Sequence, residues 1–288
     1  MEPRKNRHFE TFYPQNPILK QHIAYYYFYK NDASDFKTAY YSFPNVTTPI
    51  NIHRNVSVRI HETSVRVSEN QSPNYAVIVN QIRDAPLLVN WEGKLDKVTI
   101  VFKPLGLNHF IKEPLSEAIH GMTQIFNCWN NAPDFNSFLP SFYACSENYS
   151  RVVLLEAFLL SAYSPFKQQD TLAKAIRLLS DFNEEKSVHE ISHTLGMSTR
   201  SFDRLFVKHI GMSPICFKKI ARFRDSLQNR LFNQNFTKLT TVGYESNFYD
   251  QSYFIKVYNK LTGVNPRKFF KSVDKLGDNR LIFHFVRQ

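Results

Sequence analysis

The stretch FDRLFVKHIGMSPICF (202–217) returns 52 residues later as FIKVYNKLTGVNPRKF (254–269). The shift carries Phe202 to Phe254, Arg204 to Lys256, Phe206 to Tyr258, Lys208 to Lys260, Gly211 to Gly263, Pro214 to Pro266 and Phe217 to Phe269. Glycine just past the last helical residue stops a helix, and proline is tolerated in the first turn of the next. Each copy therefore reads as a helix, a stop and the start of another helix. Upstream of the first copy, Ser187 and Glu190 have the spacing of a capping box before a short helix at 188–195. Gly196 makes a turn and Ser198 caps the helix 199–210. The second copy has a short helix at 238–246, a turn at 247–249 and a longer helix at 250–261. A helix from Pro214 to about Leu231, with Ile220, Phe223 and Leu227 on one face, joins the units. A short helix, a turn and a longer helix with an exposed basic face is the plan of a helix-turn-helix. Two ordinary helical hairpins are the alternative, and the pairing of two such units weighs against it.

The charge follows the repeat. Residues 1–170 hold 16 basic and 15 acidic residues, whereas 171–288 hold 20 and 10, nearly all of the net +11. Such asymmetry points to one half that meets a polyanion and one that does not. Three scattered cysteines in 288 residues make neither a disulfide framework nor a zinc cluster. No apolar run reaches the roughly 18 residues of a membrane span, and the opening Met1-Glu2-Pro3-Arg4-Lys5 lacks a signal's apolar stretch. The expectation is a soluble, cytoplasmic, nucleoid-associated protein with no membrane partner.

The first half is strand-like. Runs at 38–43, 49–53, 56–61, 75–81 and 97–102 are rich in β-branched and aromatic residues, as expected of a small barrel or sandwich. Helical spacing follows at 115–126, 134–143 and, strongly apolar, at 151–163. That last helix, from Arg151 to Tyr163 with the stripe Val152, Leu155, Leu159 and Ala162, is either a homodimer contact or an intradomain helix. The run AYYYFY (24–29) either lines a pocket or packs in a core. His53 and His61 do not make the His-x-His pair of a metal-binding barrel, so no metal or cofactor is expected. Ser164-Pro165 breaks the pattern before a linker at 166–170, and the tail 279–288, with Ile282, Phe283 and Phe285, packs back on one domain or the other.

These motifs resemble the AraC/XylS family of bacterial transcription regulators. The most specific stretch is NFYDQSYFIKVYNKLTGVNP (247–266), and LGMSTRSFDRLFVKHIGMSP (195–214) is similar to the family's first unit. The segment VTIVFKPLGLNHFI (98–111) resembles part of the N-terminal domain of some such regulators. The sequence departs from the pattern at Asn247, where Gly is usual, and at Gly243 and Ser192, where Ala is usual.

The resemblance implies an α+β two-domain chain. A cupin-like small β-barrel with trailing helices (1–165) would sense and dimerise, a linker (166–170) would follow, and an all-α domain with two helix-turn-helix motifs joined by a long helix (171–272) would bind DNA, leaving a tail (273–288). Carried over by position, the first reading helix offers Thr199, Arg200, Ser201, Asp203, Arg204 and Lys208 to DNA, and the second Asp250, Gln251, Ser252, Tyr253, Lys256 and Lys260. Arg200 and Arg204 suit guanine and Gln251 suits adenine, while Asp203 either accepts from cytosine or orients Arg200. Asp250 reads better as a helix cap, and Lys260 as a phosphate contact. Implied partners are double-stranded DNA, RNA polymerase, a small-molecule effector and a second copy of the chain. Two other readings are a DNA-associated alkyl-transfer repair enzyme and an architectural DNA-binding protein. The enzyme needs Pro-Cys-His, whereas Cys128 lies in Asn-Cys-Trp and Cys145 in Ala-Cys-Ser.

Overall fold

The structure is a computed structural model that describes residues 9–132, 134–231, 250–276 and 281–286. The N-terminal half is built on strands β1 (Phe9–Phe12), β2 (Ile23–Asn31), β3 (Lys37–Ser42), β4 (Thr48–Arg54), β5 (Val56–Ile60), β6 (Ser64–Glu69), β7 (Tyr75–Asn80), β8 (Leu87–Glu92), β9 (Leu95–Phe102) and β10 (Thr123–Ile125). Two strands come from the far end of the chain, β11 (Asp274–Leu276) and β12 (Leu281–Phe285). They form two six-stranded sheets, ordered β1-β2-β9-β4-β7-β10 and β11-β12-β3-β8-β6-β5. The expected small barrel thus takes the form of two separate facing sheets.

Alternation along the central strands explains the layers. On β2, Tyr27 and Tyr29 point between the sheets, where they meet Tyr40, Val67 and Trp91, while Tyr26 and Phe28 point to the opposite face. That outer face is covered by α3 (Phe135–Ala144) and α4 (Asn148–Ala162) through Phe138, Phe142, Leu155, Phe158 and Leu159. The aromatic run is therefore a strand buried on both sides, which removes the polar alternation of a half-exposed strand. The stripe Val152, Leu155 and Leu159 faces this core, and the outer face of α4 shows Tyr149, Val153 and Ala157.

The expected helix at 115–126 is corrected. One turn, α2 (Leu115–Ala118), is followed by β10, which pairs with β7 from Thr123–Asn80 to Ile125–Ile78. Pairing with a strand more than 40 residues away overrides local helical spacing.

The C-terminal half is helical, with α5 (Gln169–Ser180), α6 (Val188–Thr194), α7 (Thr199–Ile210), α8 (Pro214–Leu231), α9 (Gln251–Thr262) and α10 (Pro266–Ser272). The helix expected at 238–246 and the turn at 247–249, with Gly243 and Asn247, lie outside the described residues. Leu172, Leu179, Ile191, Phe202, Phe206, Phe217, Phe223, Phe254, Tyr258 and Phe269 form one core, which Phe43, Ile82 and Leu105 of the other half enter. The tail leaves the helical half and adds β12 antiparallel to β3, placing Phe283 in the core between the sheets. No helix among the described residues is long and apolar enough to cross a membrane.

Candidate nucleic-acid interface

The repeat is structural as well as sequential. Ser198 caps α7 by accepting from the Ser201 amide, and Asp250, 52 positions on, caps α9 by accepting from the Tyr253 amide at 2.7 Å. Both helices stop at left-handed glycines, Gly211 at φ +84° and Gly263 at φ +77°, the region where a Cβ is penalised. Phe202, Phe206, Phe254 and Tyr258 are buried, which fixes how each helix is rotated on the shared core. The opposite stripes are consequently equivalent. Arg200, Arg204 and Lys208 on α7 correspond to Ser252, Lys256 and Lys260 on α9, each stepping by four residues along one face.

The stripes differ in electrostatics along their length. Arg200, Arg204 and Lys256 are exposed and have no ion-pair partner among the described residues. Gln251, Ser252 and Tyr253 are exposed beside Lys256. Asp203 is half-buried and forms no ion pair with Arg200 among the described residues. The Thr199 hydroxyl lies 3.1 Å from that of Ser192 on α6, and the Ser201 hydroxyl accepts from Ser198, so both brace the helix start. Ser192, at a position where alanine was expected, thereby gains a role as a polar brace.

In the last turns the lysines are engaged. Lys208 Nζ lies 3.2 Å from Glu117 on α2, and Lys260 Nζ lies 2.6 Å from Asp84 in the β7–β8 connection. The hydrogen bond and charge of Asp84 push the Lys260 pKa up. The same N-terminal segments touch both helix stops. A Cβ on Gly211 would stand 2.3 Å from Gln81 Oε1, and one on Gly263 would stand 4.0 Å from Pro86 Cγ. The Asn108 side-chain amide donates to the His209 carbonyl on α7 at 2.9 Å. Sequence reasoning missed Asp84 and Glu117 because nothing local marks an acid as the partner of a lysine some 90 or 176 positions away.

Other cations of this half serve its fold. Lys218 pairs with Glu185 at 2.9 Å, and Arg222 also pairs with it, stapling α8 to the α5–α6 connection. Arg224 on α8 donates to the Pro44 and Phe43 carbonyls at 2.5 and 2.8 Å. It lines a cavity of about 90 Å³ between the halves, together with Tyr25, Tyr27, Arg83 and Phe283. Arg83 is buried there, with Nε lacking a hydrogen-bond partner among the described residues and a guanidinium nitrogen donating to Thr123 at 2.6 Å. Burial lowers the pKa of both arginines to about 10. Neither has a carboxylate partner among the described residues.

A family model for a helix-turn-helix domain matches residues 191–272. No curated protein matches the chain. Among solved structures, ToxT from Vibrio cholerae is similar at 13% identity over 85% of this chain and 98% of that one, with a TM-score of 0.46. ToxT with a bound unsaturated fatty acid matches at 14% identity over 84% and 94%, TM-score 0.40. ToxT bound to (E)-4-(8-methylnaphthalen-1-yl)but-3-enoic acid matches at 13% over 91% and 98%, TM-score 0.43. The helix-turn-helix match takes in both 195–214 and 247–266, the stretches whose motifs resemble the AraC/XylS family of DNA-binding transcription regulators.

Proposed function

We propose that the chain is a sequence-specific, non-enzymatic regulator of transcription that reads two successive major-groove segments, one with α7 and one with α9. The observation that carries this reading is the 52-residue equivalence of the two helices in cap, buried aromatics, left-handed stop and exposed stripe. An α8 of 18 residues is about 27 Å long at 1.5 Å per residue. That suits readers set near one DNA turn, roughly 34 Å, apart. Arg200 and Arg204 present guanidinium forks that match guanine O6 and N7, and Gln251 matches adenine N6 and N7. Thr199, Ser201, Asp203, Ser252 and Tyr253 flank them, Lys208, Lys256 and Lys260 serve phosphates, and Asp250 stays the cap. Selecting bound duplexes from random DNA with the full chain should enrich a bipartite, non-palindromic motif. Absence of any motif would favour an architectural protein.

The same reading assigns sensing to residues 1–165, connection to 166–170, DNA reading to 171–272 and a strap to 273–288. An effector carrying an anionic group would find the guanidiniums of Arg83 and Arg224, neither paired with a carboxylate among the described residues, converging on the cavity between the halves. At about 90 Å³ it holds a charged head rather than a whole drug-sized molecule, for which 300 Å³ or more is usual. Homodimerisation would use the outer face of α4, around Tyr149 and Val153. RNA polymerase is the partner such a regulator addresses on cytoplasmic, nucleoid DNA.

A further inference from the structure

We propose that Asp84 and Glu117 are stand-ins for DNA phosphates, a pair of N-terminal acids that occupy the two repeat-equivalent lysines, Lys260 and Lys208, until DNA takes their place. The proposal rests on the reading of the α7 and α9 stripes as the DNA face.

Three observations carry it. First, the pairs are repeated. Lys208 and Lys260 stand 52 residues apart at matching positions in the last turns of matching helices, and each meets one acid of the N-terminal half. The acids come from unrelated elements, α2 for Glu117 and the β7–β8 connection for Asp84, so no repeat in the N-terminal half generates the match. Second, the pairing is selective. Arg200, Arg204 and Lys256, one and two turns nearer the helix starts, have no such acid among the described residues. Third, the pairs are exchangeable. The side chains of Lys208 and Glu117 are 49% and 57% exposed, and those of Lys260 and Asp84 are 54% and 41% exposed. Ion pairs at such exposure are worth little and are screened by salt. The buried Arg151–Asp96 pair at 2.9 Å is built for permanence by contrast.

A phosphate and an aspartate or glutamate compete for the same three lysine donors. While the acids hold the lysines, the chain meets DNA with Arg200, Arg204 and Lys256 and two contacts short. Releasing both lysines adds two phosphate contacts, and with them counterion release. Anything that shifts the N-terminal segments at 81–86 and 115–119 relative to the helix stops would then tune affinity for all sequences together.

The test measures affinity of the full chain for a random-sequence duplex across a salt series. Four proteins are compared: wild type, Asp84→Asn/Glu117→Gln, Lys208→Ala/Lys260→Ala, and the fourfold combination. The acid variant should bind about 3–10-fold tighter near physiological salt. Its slope of log K against log salt should steepen by up to about 1.8, or about 0.9 per recruited phosphate. The fourfold variant should lose both gains. A gain that survives in the fourfold variant would mean general charge repulsion and overturn the proposal. So would an acid variant indistinguishable from wild type. An Arg200→Ala/Arg204→Ala variant separates the underlying reading: it should lose base preference in one half of the selected motif, and an unchanged motif with unchanged affinity would show that the stripe does not face DNA at all. Both acids are exposed at the surface, so the near-isosteric amides should leave the thermal unfolding curve in place, which is recorded alongside.

Discussion

The ring of Phe43, at the end of β3, stands edge-on to the ring of Phe269 in α10, with centroids 4.9 Å apart. This contact carries the core of the helical half into the β-rich half, with Ile82 and Leu105 beside it. Phe43→Ala should therefore destabilise the protein by about 3 kcal/mol, the scale of a buried Phe truncation. Denaturant unfolding followed by a helical and a β-sensitive signal checks this. A loss below about 1 kcal/mol would mean that the seam is not packed as a core.

Arg151 shows a different kind of anchoring. It forks onto both oxygens of Asp96 at 2.9 and 3.2 Å and donates to the Cys145 carbonyl at 3.0 Å, while being only 6% exposed. Arg151→Ala leaves a largely buried carboxylate without its partner and should cost about 3 kcal/mol. Replacing the pair together should cost less than the sum of the single changes, which a double-mutant cycle measures directly.

Acid should weaken the junction below the linker. His22 and His109 stack with centroids 3.8 Å apart beside Tyr163 and Phe166. Burial, then the charges of His109 and Lys103, lowers the His22 pKa to about 4, and burial lowers that of His109 as well. The unfolded chain takes up protons near pH 6.5, before the folded chain does, so stability falls as pH drops from about 6.5 towards 4. His22→Phe keeps a ring in the stack and removes one titrating group. Its melting temperature should vary less over that window than wild type's, and an unchanged profile would clear His22 of the effect.

What could be read from the sequence was local. The caps at Ser187, Ser198 and Asp250 and the stops at Gly211 and Gly263 depend on residues within a turn of themselves, and they appear where expected. The strand β2 did not declare itself, because Tyr26 and Phe28 serve one core and Tyr27 and Tyr29 another, which leaves no alternation to see. The turn-then-strand at 115–125 was hidden for the opposite reason, since its pattern is helical and a distant partner decides it. The same holds at the candidate site. Arg200, Arg204 and Lys256 stand exposed as the repeat requires, whereas the acids on Lys208 and Lys260 and the meeting of Arg83 with Arg224 exist only once the halves are packed.

The most direct test of two independent readers in one chain is to repeat the DNA selection with Arg204→Ala and with Gln251→Ala. Each should relax base preference in a different half of the bipartite motif and leave the other half sharp, with a loss of about 1–3 kcal/mol on the wild-type site. If both variants blur the same half, or weaken every sequence equally, α7 and α9 do not read separate segments.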